Sequence, residues 1–63
     1  MYQNYLKLRD ERKLTDYAVA KNTGVPRSTF SDWKTGRCTP KVEKLMKIAD
    51  FFGVSIDDLV RPE

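Results

Sequence analysis

The chain has 63 residues, 40% of them apolar and 33% charged, and it carries one cysteine and no histidine. A domain near this size buries only about 60% of the surface its unfolded chain exposes, which leaves room for one domain spanning 1–63 and excludes a deep catalytic cavity. The formal charge is +3, and a single cysteine excludes an internal disulfide, as suits a reducing cytoplasm.

The first element is expected as a helix over about 2–13. Tyr2, Tyr5, Leu6 and Arg9 share one of its faces, with Leu8 and the charged residues around it. Leu14 then turns toward the core, and Thr15 is a good N-cap for a second helix over about 16–22. Asp16 falls in the first turn of that helix, where the dipole favours negative charge. Tyr17, Ala18 and Ala20 are small or flat enough to pack closely. Gly24 stands where a helix ending wants a left-handed residue. Val25 is a hydrophobic plug, and Pro26 opens a third helix over about 27–35 that Gly36 stops. A loop, 37–40, leads to a fourth helix over about 41–52. Its expected buried stripe is Val42, Leu45, Met46, Ala49 and Phe52, in the i, i+3, i+4, i+7 rhythm. Gly53 ends it. Ser55 and Asp58 have the form of a capping box, so a short fifth helix begins there, with Leu59 and Val60 closing the core. No alternating strand pattern competes, and the expected class is all-α.

The third helix is the informative one. At about 100° per residue, Thr29, Phe30 and Trp33 fall on one arc, and Arg27, Ser28, Ser31, Asp32 and Thr35 fall on the opposite one, with Lys34 at the edge. Phe30 and Trp33 are large enough to anchor the helix. The short polar side chains opposite permit close approach to base edges, and Arg27 is able to donate two hydrogen bonds to a guanine in the major groove of duplex DNA. The charge agrees. Between residues 27 and 47 there are six basic residues against two acids, and between 50 and 63 four acids against one base. The positive end of such a field attracts a polyanion.

The ordered series from Leu14-Thr15 through Ala20-Lys21, Gly24 to Trp33, Gly36-Arg37, Pro40, Leu45, Ile48-Ala49, Phe52 to Asp57 and Leu59 resembles the phage lambda-repressor/Cro-type helix-turn-helix domain, also called XRE-like. The resemblance covers residues 6 to 60. It implies a compact five-helix fold, with helices 2 and 3 forming the helix-turn-helix and helix 3 entering the major groove. On the positions that match, Arg27, Ser28 and Asp32 face bases, with Ser31 on the same arc, and Thr35, Arg37, Thr39 and Lys41 belong to the segment that grips phosphate. Phosphate contacts position such a protein, while base contacts specify its site.

Three positions depart from the family's pattern. Asp16 stands where glutamine usually touches phosphate, and a carboxylate repels phosphate. Lys34 stands where an acid often pairs with a helix 1 arginine, so Arg9 is left with Asp10, Glu11 or no partner. Asp32 on the reading arc accepts from cytosine N4, or accepts from Ser28 one turn earlier, or repels wrong sites.

The expected function is therefore a sequence-specific regulator of transcription, most simply a prokaryotic or phage repressor that binds a palindromic operator in double-stranded DNA as a homodimer. The alternative is an antitoxin-like or other protein-interaction module on the same fold, with a protein partner. Without histidine, a metal-ligand cluster, a phosphate loop or a paired nucleophile and base, neither an enzyme nor a cofactor is expected. Single-stranded RNA is disfavoured because Phe30 and Trp33 point inward and leave no aromatic platform. No membrane span or signal peptide is expected, and the chain is placed in the cytoplasm. Phe51 lies near Lys44 and Lys47 on the fourth helix and is expected to be covered by Tyr2 or Tyr5, failing which it marks a self-association surface. Leu59, Val60 and the tail up to Pro62 are the other candidate dimer contact. Lys44 and Lys47 are either peripheral phosphate contacts or solvated surface. Cys38 is expected to be a plain loop thiol.

Overall fold

Thr15, Gly24, Gly36, Gly53 and Ser55 mark most of the helix ends in a computed structural model that describes residues 2–61. The helices are α1 (Tyr2–Glu11), α2 (Asp16–Thr23), α3 (Arg27–Thr35), α4 (Val42–Phe52) and α5 (Ile56–Val60). No strand occurs among the described residues. Among the described residues no helix is long and apolar enough to cross a membrane.

The boundaries follow local chemistry. The Thr15 hydroxyl accepts from the Ala18 amide at 3.1 Å and opens α2. Ser55 and Asp58 complete their capping box, each side chain accepting the other's backbone amide at 3.3 Å. The first helix is shorter than expected. It stops at Glu11 because Lys13 takes a left-handed conformation, φ 54°. The Leu14 amide then donates to the Arg9 carbonyl and the Lys13 amide to that of Asp10, at 3.0 Å each. That pattern is a Schellman ending, usually given to glycine.

The core gathers one or more residues from every helix: Tyr5, Val19, Ala20, Val25, Phe30, Trp33, Leu45, Ile48, Ala49, Phe52 and Leu59. Tyr5 lies at its aromatic centre. Its ring sits 5.0 Å from Phe30, 5.4 Å from Trp33, 5.7 Å from Tyr2 and 6.1 Å from Phe52. The stripe expected on α4 is corrected in phase. Leu45, Ile48, Ala49 and Phe52 are buried, whereas Val42 and Met46 are 63% and 51% exposed. On α2 the buried pair is Val19 and Ala20, and Tyr17 stands outside the packing that was expected of it. Side chains of α1 tie the termini together. Asn4 donates to the Leu59 carbonyl at 3.0 Å and to that of Arg61 at 2.6 Å. Arg12 donates to the Phe52 carbonyl at the end of α4 while lying over the Phe52 ring.

Candidate nucleic-acid interface

Gly24 is the pivot between α2 and α3. Its φ of 79° suits a residue without Cβ, and its amide closes α2 on the Ala20 carbonyl at 2.9 Å. Val25 plugs the turn at 2% exposure, and its amide finds the Thr23 hydroxyl at 3.2 Å. Pro26 then sets the start of α3. Phe30 and Trp33 are 0% and 5% exposed, so the inward arc lies where the wheel put it. Tyr5 backs both rings, which means that α1 fixes the face α3 offers.

The opposite arc is open. Arg27, Ser28, Ser31 and Thr35 are exposed, and Asp32 is half-buried at its edge. No other segment among the described residues covers that flank. Arg37, Thr39 and Lys41 are exposed beside it. The loop that carries them is pinned to α3, because the Arg37 and Cys38 amides donate to the Asp32 carbonyl at 2.9 and 3.3 Å. A shallow groove lined by Thr29, Asp32, Cys38, Thr39, Pro40, Lys41 and Lys44 runs between α3 and the start of α4. It brings the base-facing candidate Asp32 together with the phosphate candidates Thr39 and Lys41, and it adds Lys44. Thr29, assigned inward by the wheel, is half-buried and lines the groove as well.

Each candidate has a distinct bonding state. The Asp32 carboxylate makes no hydrogen bond or ion pair among the described residues, so the local bond from Ser28 does not form. Thr35 donates its hydroxyl proton to the Asp32 carbonyl at 3.2 Å; a phosphate oxygen, which only accepts, needs that proton turned outward. The Arg27 guanidinium carbon lies over the ring of Tyr17, 5.7 Å from its centroid, and that ring is exposed on α2. Neither α3 nor α4 has a side-chain cap, since Pro26 and Lys41 occupy their N-cap positions. Among the described residues the first two amides of each helix have no partner, next to Arg27 and Lys41, while the third donates to the N-cap carbonyl at 3.0 Å.

Asp16 is the residue that sequence reasoning placed least well. It is the partner of Arg9, whose guanidinium donates to Asp16 Oδ1 at 3.0 Å and also bonds Asp10 at 2.9 Å. The Tyr5 hydroxyl donates to the same Asp16 oxygen at 2.6 Å. This carboxylate thus fastens the start of α2 to α1 instead of facing outward. Burial, then the bond to Asp16, holds the Tyr5 hydroxyl well above its ordinary pKa of 10. The bond to Asp16 likewise raises Arg9. The distance of seven residues across one tight turn was a usable signal for the Arg9–Asp16 pair.

Three further expectations are settled at this surface. Phe51 is 36% exposed with Phe52 as its ring neighbour, and Tyr2 and Tyr5 face Trp33 and Phe30 instead of covering it. Leu59 is 0% exposed, so it belongs to the core and is not a dimer contact, while Pro62 lies outside the described residues. Cys38 is an exposed free thiol.

Known proteins are similar to this chain in sequence. The family model described as helix-turn-helix matches residues 6–59. The cryptic phage CTXphi transcriptional repressor RstR of Vibrio cholerae is 42% identical over 53 residues, which cover 84% of this chain and 48% of that protein. The HTH-type transcriptional activator BcrR of Enterococcus faecalis is 37% identical over 57 residues, 90% of this chain and 28% of that one. An uncharacterized HTH-type transcriptional regulator of Methanocaldococcus jannaschii, MJ0272, is 41% identical over 46 residues, 73% of this chain and 70% of that one. The chain thus spans about half the length of the first of these relatives and under a third of the second. No solved structure matches at comparable significance.

Proposed function

This chain belongs to the Cro/C1-type, XRE-like helix-turn-helix family, and on that premise we propose that it is a sequence-specific regulator of transcription that inserts α3 into the major groove of double-stranded DNA. In this reading Arg27, Ser28, Ser31 and Asp32 meet base edges, and Thr35, Arg37, Thr39 and Lys41 meet phosphates. Two copies bind a palindromic operator with their α3 helices about 34–36 Å apart, one helical turn of DNA. Repression follows from occupancy of the operator; the relatives named above include both a repressor and an activator.

The observation that carries the reading is the exposed polar arc of α3, held outward by buried Phe30 and Trp33. The uncapped start of α4 beside Lys41 supports it, because a helix N-terminus and a cation together favour phosphate. The competing reading is a protein-interaction module, which acids on a DNA-binding face, Asp16 and Asp32, would favour. Asp16 no longer supports it, since its carboxylate is bonded to Arg9 and Tyr5. Only Asp32 remains.

Selection of bound duplexes from a random pool tests the proposal, followed by equilibrium binding to the winner across a salt series. A palindromic site and a steep negative log–log slope are expected, because each neutralised phosphate releases counterions. A slope near zero, or a pool that never converges, rejects it.

A further inference from the structure

Three arginines of this chain lie over aromatic rings, and one pair differs from the other two. Arg9 over Tyr5 and Arg12 over Phe52 rest on buried rings and have hydrogen bonds to carboxylates or carbonyls as well. Arg27 rests on Tyr17, whose ring is 57% exposed. Among the described residues the Arg27 side chain makes no hydrogen bond and no ion pair. A cation–π contact draws on the charge of a guanidinium and takes up none of its hydrogen bonding to oxygen or nitrogen acceptors. A bidentate contact with guanine uses only that edge.

We propose that Tyr17 is a positioning residue for base recognition: its ring holds the Arg27 guanidinium from the neighbouring helix, so that the N–H donors enter the groove already placed. The proposal rests on the reading of α3 as the groove helix. It assigns a role to a residue that the helical wheel of α3 could not include, since Tyr17 is the second residue of α2. Arginine has many rotamers, and a free one loses that freedom on binding. The ring removes part of the loss beforehand, which is how preorganisation raises affinity. Because the ring is outside the core, its removal leaves the fold in place.

Equilibrium binding tests this with two duplexes: the preferred site, and the same site with the base pair changed at which Arg27→Ala relaxes specificity. Tyr17→Ala is expected to weaken binding to the preferred site by roughly two- to fivefold, the strength of an exposed cation–π contact. It is expected to leave the altered site unchanged, and to have no effect in a protein already carrying Arg27→Ala. Tyr17→Phe keeps the ring and is expected to bind like the parent. Tyr17→Leu keeps bulk without a π face and is expected to follow the alanine variant. Unchanged melting temperatures exclude a folding effect. Equal weakening on both duplexes, or weakening that persists beside Arg27→Ala, overturns the clamp. So does a Tyr17→Phe variant as weak as Tyr17→Ala, which marks a hydroxyl contact to phosphate. If Arg27→Ala itself lowers affinity for all sequences alike, the groove-helix reading fails, and the clamp falls with it.

Discussion

Tyr5 shows how much one side chain arranges. Its ring supports Phe30 and Trp33 from behind, and its hydroxyl reaches Asp16 at 2.6 Å, so α1, α2 and α3 converge on it. Its pKa is raised above 10 by burial first and by the Asp16 bond second. Below pH 10 the hydroxyl is protonated in both folded and unfolded chains, and stability is unaffected by it. As pH rises past 10 the unfolded chain loses this proton while the folded chain keeps it, so stability falls. The slope from this group approaches about 1.4 kcal/mol per pH unit only above pH 11, and the decline between pH 9 and 11 totals about 1.4 kcal/mol. Denaturant titrations between pH 9 and 11 are expected to show that extra decline in the parent and to lack it in Tyr5→Phe. At neutral pH the same variant is expected to lose about 0.5–1.5 kcal/mol, the net value of one hydrogen bond. Identical pH profiles in the two proteins contradict the assignment. Lys13 is a second residue-scale case. It is the one positive-φ residue other than glycine among those described, at 54°, and such a conformation strains a side chain bearing Cβ. Lys13→Gly is expected to gain about 0.5–1 kcal/mol and raise the melting temperature by several degrees. A fall in melting temperature shows that the lysine side chain contributes more than the strain it imposes.

At the level of elements, local signals gave the turn and the helix starts, and long-range contacts decided the rest. Gly24-Val25-Pro26 and the caps at Thr15 and Ser55 each act within four residues, so α2, α3 and α5 were legible almost to the residue. The α4 stripe was not. Seven of the eleven residues of α4 are apolar, and the i, i+3, i+4, i+7 rhythm fits equally well from Val42 or from Leu45. Packing against α2 and α5 selects the second phase, which buries Ile48 and exposes Met46. Ile48→Ala is therefore expected to cost about 2–5 kcal/mol, the range for emptying a core position. Met46→Ser is expected to stay within about 0.5 kcal/mol. Chemical denaturation of the two variants reads the phase of the helix directly, and a reversed order of cost rejects it. The candidate interface divides in the same way. Arg27, Ser28, Ser31 and Thr35 were readable from one helix and are exposed together. The Arg9–Asp16 bond and the Tyr17–Arg27 contact each cross between helices, and one helical wheel carries no information about either.

For the molecule as a whole, the placement of ion pairs says more than the net charge. The four ion pairs among the described residues join Arg9 to Asp10 and Asp16, Arg12 to Glu11, and Arg61 to Asp58. None involves a base between residues 27 and 47, the stretch that holds six of them. The acids of α5 serve its own start, where Asp58 completes the cap and Asp57 lies in the first turn. Positive charge is thus left uncompensated on the side of α3 and the following loop. The paired acids, Asp10, Glu11, Asp16 and Asp58, all lie outside that stretch. A uniform attraction of a basic protein to DNA predicts that any charge change shifts affinity alike. Localised phosphate contacts predict a split. Arg37→Ala is expected to weaken all duplexes similarly and to make the salt slope shallower by about one. Asp50→Asn changes the net charge by the same amount in the opposite sense. It lies about 13 Å along α4 from Lys41, given 1.5 Å per residue, which is beyond the screening length of about 8 Å at physiological salt. Its salt slope is expected to match the parent's. Opposite shifts of equal size in the two variants mean that net charge, and not the loop after α3, governs binding.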